Sequence, residues 1–449
     1  MSAAHAGPVS ESVSHARGPV SESESHARRA RRAAYLESAS SIRDALGGDS
    51  GSWRVRDVAD GNLNSVFLVD GPNGGVCVKQ ALPFVRVAGE SWPLDINRAF
   101  FEASYAARVA PDVGGLAPAL HHYDPDHFVI VMEKLEPHVI LWKGLIAGQR
   151  FPRAPAHVAE YVAQAAFHTS DLAIPFERKF ADVALFAKNV ALQRITVDLV
   201  FTDPYVEVWR NKVTPPLEAW AAALRSDNAL KSTVACLRLA YLNKPQSLLH
   251  GDLHSCSVMV TADDTRVIDG EFAWYGPTGF DVGNFLAHYV MAWYAQSNHP
   301  GSRDDHDAFR AAIAADIANF WLTFRRRFLE IWRDSESTGD GVPASHFADA
   351  AGRARLEAFR HSYLKAIFRD AVGFMAIKII RRIVGFAQIA DFLAIDDEAR
   401  RAEAEAGALA FARSLLLQPD RFAEIESVVA ALPTFEAAGL DPNKSRAPR

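Results

Sequence analysis

A short strand-rich segment, residues 248–269, interrupts a long region whose pattern is otherwise helical, and it limits the folds available to this chain. In this segment the strings SVMV and RVID flank a turn signal at residues 262–265, a pattern that predicts a β-hairpin. Asp252 precedes the first strand, while Asp269 and Glu271 lie at the end of the second. Because a hairpin places its open ends side by side, the sequence predicts that these three carboxylates converge.

Three converging carboxylates would repel one another unless cations neutralised them. Mg²⁺ commonly binds through carboxylates together with substrate phosphates, so the cluster predicts a Mg²⁺–nucleotide site. Phosphoryl transfer also needs an orienting base at the attacking hydroxyl and a cation at the phosphates. We therefore assign Asp252 as the base, and Asp269 with Glu271 as metal ligands. Lys79, at the end of the strand-like string VCVK, is the predicted phosphate cation.

The rest of the chain divides into three parts. Residues 1–34 contain a near repeat rich in Ser, Ala, Arg and Glu, which predicts a disordered tail. Residues 35–135 combine strand patterns with one helix at 95–109, which could present Glu102 to the phosphate lysine. The remainder, residues 136–449, is mainly helical in pattern. The expected fold class is α+β, with a small antiparallel-sheet lobe and a large helical lobe.

Composition excludes several other classes of protein. The net charge of −6 and the pI near 6.2 give no reason to expect a broad basic face for nucleic acid. Cys77, Cys236 and Cys256 are widely spaced and form no CxxC, so we expect neither a disulfide framework nor a zinc cluster, and a reducing cytoplasm fits best. The most apolar stretches are too short or carry charges such as Lys378, so we expect no membrane span.

The strings LLHGDLHSCSVMV and VIDGEFAWYGPTGFD resemble the catalytic and metal-binding segments of aminoglycoside phosphotransferases, choline kinases and their relatives. DGNLNSVF, VKQALPFVRVAGESWPL, MEKLEPH and IIRRIVGFAQIADF are similar to segments of the methylthioribose kinases in particular, and the likeness spans about residues 35–395. The resemblance implies a bilobal protein-kinase-like fold with ATP and Mg²⁺ between the lobes. It also implies phosphorylation of the C1 hydroxyl of S-methyl-5-thio-D-ribose in methionine salvage, by a cytoplasmic homodimer.

The resemblance implies roles for individual residues at both substrates. Asp252 corresponds to the catalytic aspartate, as in the reading from the residues alone. The positions implied to contact the nucleotide are Asn62, Ser65, Lys79, Glu102, Glu133 and Leu135. Arg381 and Arg382 match an arginine pair associated with acceptor binding and catalysis, and guanidinium donors suit phosphate or sugar oxygens. The structural alternative is that this pair complements the negative end of a helix terminated by Gly385.

Other polar residues near these motifs admit a structural role. We expect His250 and His254 to support the loop by hydrogen bonding rather than to bind a metal, because carboxylates beside them suit a hard ion better. Asp281 either caps a helix or braces the catalytic loop. Trp92 either packs in the core or belongs to a loop near the nucleotide.

Three positions depart from the family pattern, which usually has Pro at Gly270, Gly at Cys256 and often His at Gln388. We expect Gly270 to loosen the backbone at the metal ligands and Cys256 to add bulk beside the catalytic loop. Neither change removes a charged catalytic group. Two alternatives stay open: a kinase of the same fold for another small sugar or alcohol, and an inactive nucleotide-binding module.

Overall fold

The computed structural model describes residues 33–58, 64–84, 93–299, 303–335 and 339–442. Its first described residues form a helical segment, 33–36, in which Ala33 and Leu36 are buried. The predicted tail thus lies outside the described residues except for its last two positions. Ala33 packs in the N-terminal core, so residues 33 and 34 belong to the folded part, while the disorder predicted for residues 1–32 stays a prediction.

A five-stranded antiparallel sheet forms the N-terminal lobe. The strands are β1 (Arg54–Val58), β2 (Asn64–Asp70), β3 (Gly75–Ala81), β4 (Leu120–Asp124) and β5 (Val129–Glu133). Their spatial order is β1-β2-β3-β5-β4. Side chains alternate between the faces of a strand, so Val76 and Val78 of β3 are buried in the core on one face while Lys79 points to the other. This alternation places the predicted phosphate lysine outside the apolar core of the sheet.

Helices cover both faces of this sheet. α1 (Ser40–Leu46) packs in the apolar core formed by β2, β3 and β5, while α2 (Arg98–Val109) packs on the opposite face. The predicted helix at 95–109 begins later than expected because the Asp95 carboxylate accepts the backbone N–H of Asn97 at 2.9 Å, which makes a turn before the helix. α2 therefore starts at Arg98 and presents Glu102 toward β3.

The C-terminal lobe is mainly helical, as predicted. Its helices are α3 (Leu141–Ile146), α4 (Ala154–His168), α5 (Phe176–Phe186), α6 (Val190–Phe201), α7 (Glu218–Ser226), α8 (Asn228–Asn243), α9 (Gly279–Gln296), α10 (Arg303–Asp334), α11 (Ala350–Val384), α12 (Ala390–Leu393), α13 (Glu398–Leu417) and α14 (Ile425–Ala431). Every residue of α9 is buried, and this helix packs against α10, α11 and α13. In the described part of the chain, no helix has the length and apolar character needed to cross a bilayer.

Short strands also lie within this lobe. They are β6 (Val139–Ile140), β7 (Ser247–Leu249), β8 (Val258–Val260), β9 (Thr265–Val267) and β10 (Trp274–Gly276). Of these, β8 and β9 form the predicted hairpin. β8 and β9 pair with Val258 opposite Val267, and β7 pairs with β10. Immediately after β9, Asp269 adopts a left-handed backbone conformation with φ 73°. The fold is thus α+β with a small antiparallel sheet and a large helical lobe, which confirms the predicted fold class.

The close approach of α9 and α11 generates a stability prediction. A Cβ atom at Gly283 would lie 2.4 Å from the backbone oxygen of Ala371, whereas a Cβ at Gly373 would first meet the end of the Leu237 side chain. We expect Gly283→Ala to destabilise the protein by about 1–3 kcal/mol, because backbone atoms cannot move aside without separating the helices. Gly373→Ala is the matched control, because each of the two substitutions replaces a helical glycine by alanine and gains the same helix propensity. Equal urea midpoints for the two variants would contradict this account of the helix contact.

Candidate active site

Lys79 lies in a cluster of carboxylates contributed by three elements. Its Nζ is 2.7 Å from Glu102 Oε2 on α2 and forms an ion pair with Asp269 after β9. Glu271 Oε2 lies 4.0 Å away. Burial opposes the charge of Lys79, but these carboxylates outweigh it and raise the lysine pKa above its usual value, while burial raises the pKa of Glu102 to about 7. The structure therefore brings together four residues that the sequence had placed at the nucleotide.

The same carboxylates fit a divalent cation. One oxygen from each of Glu102, Asp269 and Glu271 lies within 4.8 Å of the others. Glu271 is buried, and its Oε1 has no hydrogen-bond partner among the described residues. A buried carboxylate oxygen without a partner is costly, and oxygen ligands are what Mg²⁺ prefers. Asp269 and Glu271 were predicted as ligands. Glu102 is added to the group by its position.

A buried arginine, which the sequence did not single out, orders this group. The Arg98 guanidinium donates to Asn64 Oδ1 at 2.8 Å, and its Nε lies 3.4 Å from Glu271 Oε2. Asn64 Nδ2 in turn donates to that same glutamate oxygen at 3.0 Å. Arg98 also donates to the backbone oxygens of Leu82 and Asp95. From sequence alone, an arginine in the first turn of a helix is usually expected to be exposed to solvent. The burial of Arg98 therefore could not be predicted.

The loop that carries Asp252 is held from two sides. Asp281, in the first turn of α9, accepts the backbone N–H groups of His250 at 2.7 Å and Gly251 at 3.1 Å. The His250 ring bonds to the backbone oxygen of Ile268 across the hairpin at 2.8 Å. Gly251 has φ +81°, and a Cβ there would lie 2.1 Å from the Phe272 backbone oxygen, so glycine is required. These contacts correspond to the bracing geometry considered for Asp281 and the supporting geometry considered for His250.

Asp252 is contacted on both carboxylate oxygens. Lys378 Nζ lies 2.7 Å from Oδ1, and His254 Nε2 lies 3.1 Å from Oδ2. Burial opposes its charge, but Lys378 and His254 hold the pKa of Asp252 well below its usual range. Burial lowers the pKa of His254 to about 4, so this histidine is neutral near pH 7. Because its Nδ1 accepts the backbone N–H of Cys256 at 3.0 Å, the proton sits on Nε2 and is donated to Asp252.

Beside Asp252, the end of α11 presents a row of cations. Lys378, Arg381 and Arg382 lie within about one helical turn. Both guanidinium groups donate to the backbone oxygen of Ala387, at 3.4 and 3.1 Å, and the Nε of each has no partner among the described residues. Burial lowers the pKa of Arg381 to about 9. Gly385 ends the helix as expected, and both arginines lie in its last turn, so the choice between a helix-end role and a role at the acceptor stays a prediction.

The other predicted nucleotide residues have varied placements. Ser65 lies on β2 opposite Gln80, and the Glu133 carboxylate on β5 accepts the backbone N–H of Ala119 and a donor of Arg266, each at 3.1 Å. Leu135 lies two residues after the end of β5 and is partly buried. Asn62 and Trp92 lie outside the described residues, so their predicted contacts stay predictions.

A cleft joins the carboxylate cluster to an apolar wall. Its lining includes Glu102, Tyr105, Ile130, Met132 and Asp269. It lies between α2, β5 and the end of the hairpin. An apolar cleft with a few convergent charged groups at its rim is the usual form of a small-molecule site.

The structure gives glycine at position 270 a packing role, whereas from the sequence we expected an effect on backbone freedom. A Cβ at this position would lie 2.4 Å from the ring carbon Cδ1 of Tyr105. That tyrosine is buried, and its hydroxyl bonds to the hydroxyl of Tyr161 at 2.8 Å. Gly270 therefore makes room for the Tyr105 ring between the two metal-ligand positions. The expectation of a loosened backbone misses this packing constraint.

Comparison with known proteins gives matches over most of the chain. The model of the phosphotransferase enzyme family matches residues 54–315. Methylthioribose kinase 2 of Oryza sativa subsp. japonica is 37% identical over 406 residues, which cover 90% of this chain and 94% of that protein. A methylthioribose kinase of Escherichia coli is 36% identical over 402 residues, covering 88% and 94%. A solved choline/ethanolamine kinase family protein of Mesorhizobium loti is 15% identical, with a TM-score of 0.39 and coverage of 90% and 98%.

The Tyr105–Gly270 contact can be tested by a double-mutant cycle. We expect Gly270→Ala to destabilise the protein by about 1–3 kcal/mol, because the added methyl group overlaps the buried ring. Tyr105→Leu removes that ring, so the alanine should cost much less in the double variant. The measurement is the urea midpoint of the four proteins. Additive effects of the two substitutions would show that Tyr105 is not what requires glycine at this position.

Proposed function

This chain belongs to the methylthioribose kinase family, within the phosphotransferase enzymes, and from that premise we propose that it phosphorylates S-methyl-5-thio-D-ribose with ATP. The products are S-methyl-5-thio-D-ribose 1-phosphate and ADP, and the reaction belongs to methionine salvage. We further propose that the enzyme works in the cytoplasm as a homodimer. The observation that carries the proposal is the placement of Asp252 between the carboxylate cluster around Lys79 and the cations of α11.

The described residues divide the work of phosphoryl transfer. Lys79 binds phosphate oxygens of ATP from β3, and Glu102 holds its ammonium group in place. Asp269 and Glu271 would hold Mg²⁺, which supplies charge neutralisation at the phosphates when bound. On this assignment ATP lies between the sheet lobe and the helical lobe. Arg98 keeps Glu271 oriented through its contacts to the glutamate and to Asn64.

Asp252 acts on the acceptor. Its low pKa keeps it ionised near pH 7, so it orients the sugar C1 hydroxyl and receives its proton as the oxygen–phosphorus bond forms. Neutral His254 fixes the orientation of the carboxylate through Oδ2. Arg381 and Arg382 have unused donors on this side of Asp252, which suits binding of sugar or phosphoryl oxygens.

An acceptor panel tests the proposed function. ADP release should be much faster with S-methyl-5-thio-D-ribose than with ribose, choline or an aminoglycoside. Asp252→Asn should lower turnover by about 10²–10⁴-fold while MgATP affinity changes little, because it removes the proton acceptor and leaves the metal ligands. Asp263→Asn, an exposed aspartate in the hairpin turn, is the matched control. Faster turnover of another acceptor would reassign the substrate, and no turnover with any would leave the inactive-module alternative.

The arginine pair gives a second prediction. We expect Arg381→Ala or Arg382→Ala to reduce kcat/KM for the sugar by well over tenfold, about 1.4 kcal/mol or more of transition-state stabilisation. Arg369→Ala, an exposed arginine on the same helix, should have no such effect. Kinetics are measured per folded molecule, with thermal denaturation in parallel. Unchanged kinetics with a lowered melting temperature would instead support a purely helix-terminal role.

A further inference from the structure

Lys378 is a buried cation for which the sequence suggested no function. Its side chain is 2% exposed, and its Nζ lies 2.7 Å from Asp252 Oδ1. It stands three and four residues before Arg381 and Arg382, so all three side chains emerge from one face of α11. A lysine in the middle of the apolar string AVGFMAIKII is therefore placed in direct contact with the proposed base.

The local charge is not balanced by this single ion pair. Three cations converge from α11, while Asp252 carries one negative charge and His254 is neutral near pH 7. Asp391, on the Arg382 side, is only partly ionised because burial raises its pKa to about 7. Asp252 already accepts a hydrogen bond from His254, so its orientation does not require Lys378. An ammonium group has three donors, and among the described residues Asp252 is the partner that the structure shows for this one. An excess of buried positive charge with unused donors is stabilised when an anion binds.

We propose that Lys378 is a further catalytic residue, whose ammonium group binds an oxygen of the phosphoryl group as it passes from ATP to the acceptor. The inference rests on the proposed phosphoryl transfer and adds a second lysine to it. Lys79 contacts Glu102 and Asp269 on the nucleotide side, whereas Lys378 contacts Asp252 on the acceptor side. During transfer the phosphoryl group would thus lose its contact with Lys79 and gain a contact with Lys378.

The step balances without any further reactant. The acceptor oxygen forms a bond to the γ-phosphorus, and its proton goes to Asp252. The bond between that phosphorus and the β–γ bridging oxygen breaks, and its electron pair stays with ADP. Lys378 remains protonated throughout and uses a spare N–H to stabilise the equatorial oxygens, where charge is spread in the transition state.

The proposal requires a charged Lys378, which makes it sensitive to pH. Burial lowers the pKa of Lys378 to about 8, with Asp252 opposing the shift and the two arginines adding to it. The titratable and charged groups facing it are Asp252, His254, Cys256, His288, Arg381 and Arg382. Because the protonated form is active, kcat/KM for ATP should fall as pH rises through about 8. In Lys378→Arg this fall should move to higher pH, since a guanidinium stays charged.

A transition-state analogue separates phosphoryl binding from support of Asp252. In the complex of MgADP with fluoroaluminate, the fluoroaluminate group mimics the phosphoryl group in transfer. Calorimetry without sugar measures the affinity of the protein for this complex and, separately, its affinity for MgADP alone. Lys378→Met should bind the fluoroaluminate complex about 10²-fold more weakly, while its MgADP affinity stays within about twofold of the parent. Lys244→Met is the matched control, because Lys244 pairs with Asp370 at 2.6 Å outside the site.

The outcomes are distinct. Equal fluoroaluminate affinity in Lys378→Met and the parent, combined with low turnover, would mean that Lys378 only supports Asp252 and would overturn the proposal. If Lys378→Met does not fold, the pH profile of Lys378→Arg decides, and a fall that stays near pH 8 overturns it. Failure of S-methyl-5-thio-D-ribose as acceptor would refute the proposed substrate but leave the sugar-free measurement valid.

Discussion

The ion cluster around Lys79 is the interaction on which the arrangement of this active site depends. It joins β3, α2 and the end of the hairpin, which are far apart in sequence. Three carboxylates, Glu102, Asp269 and Glu271, face two cations, Lys79 and Arg98. Such a group is stable only when each buried charge has a partner, so the sheet lobe and the hairpin fix one another's position. A divalent cation would neutralise part of the negative charge of these carboxylates.

The base is held by a different kind of support. Asp281 receives two loop N–H groups from the first turn of α9, and every residue of that helix is buried. The loop carrying Asp252 is therefore tied to a fully buried helix rather than to a surface element. Glycine at position 283 lets α11 approach α9 closely, which brings Lys378 and the arginine pair to the same loop. Packing of two helices thus sets the distance between the base and its cations.

Much of this site could be predicted from the sequence, because turn signals and strand patterns are local. The hairpin followed from a few residues around a turn, and from it the sequence predicted that Asp252 converges with Asp269 and Glu271. In the structure Asp269 and Glu271 instead join Glu102 around Lys79, while Asp252 pairs with Lys378 and His254. Prediction of the Lys79–Glu102 pair required a further argument, namely that phosphate binding needs a cation that is held in place. Arg98 and Lys378 were missed because burial of a charged side chain depends on tertiary packing. Lys378 did leave a signal, a lone charge in an apolar helix on the same face as an arginine pair.

Cys256 lies two residues after His254, the histidine that orients Asp252, at a position where the family resemblance led us to expect glycine. Burial raises the pKa of its thiol to about 12, against the influence of Arg382 and Lys378. Alkylating agents and peroxides react with the thiolate, which is nearly absent at such a pKa. The thiol near the base is therefore mostly in its protonated, weakly nucleophilic form near pH 7. The tertiary environment makes the thiol a space-filling group rather than a reactive one.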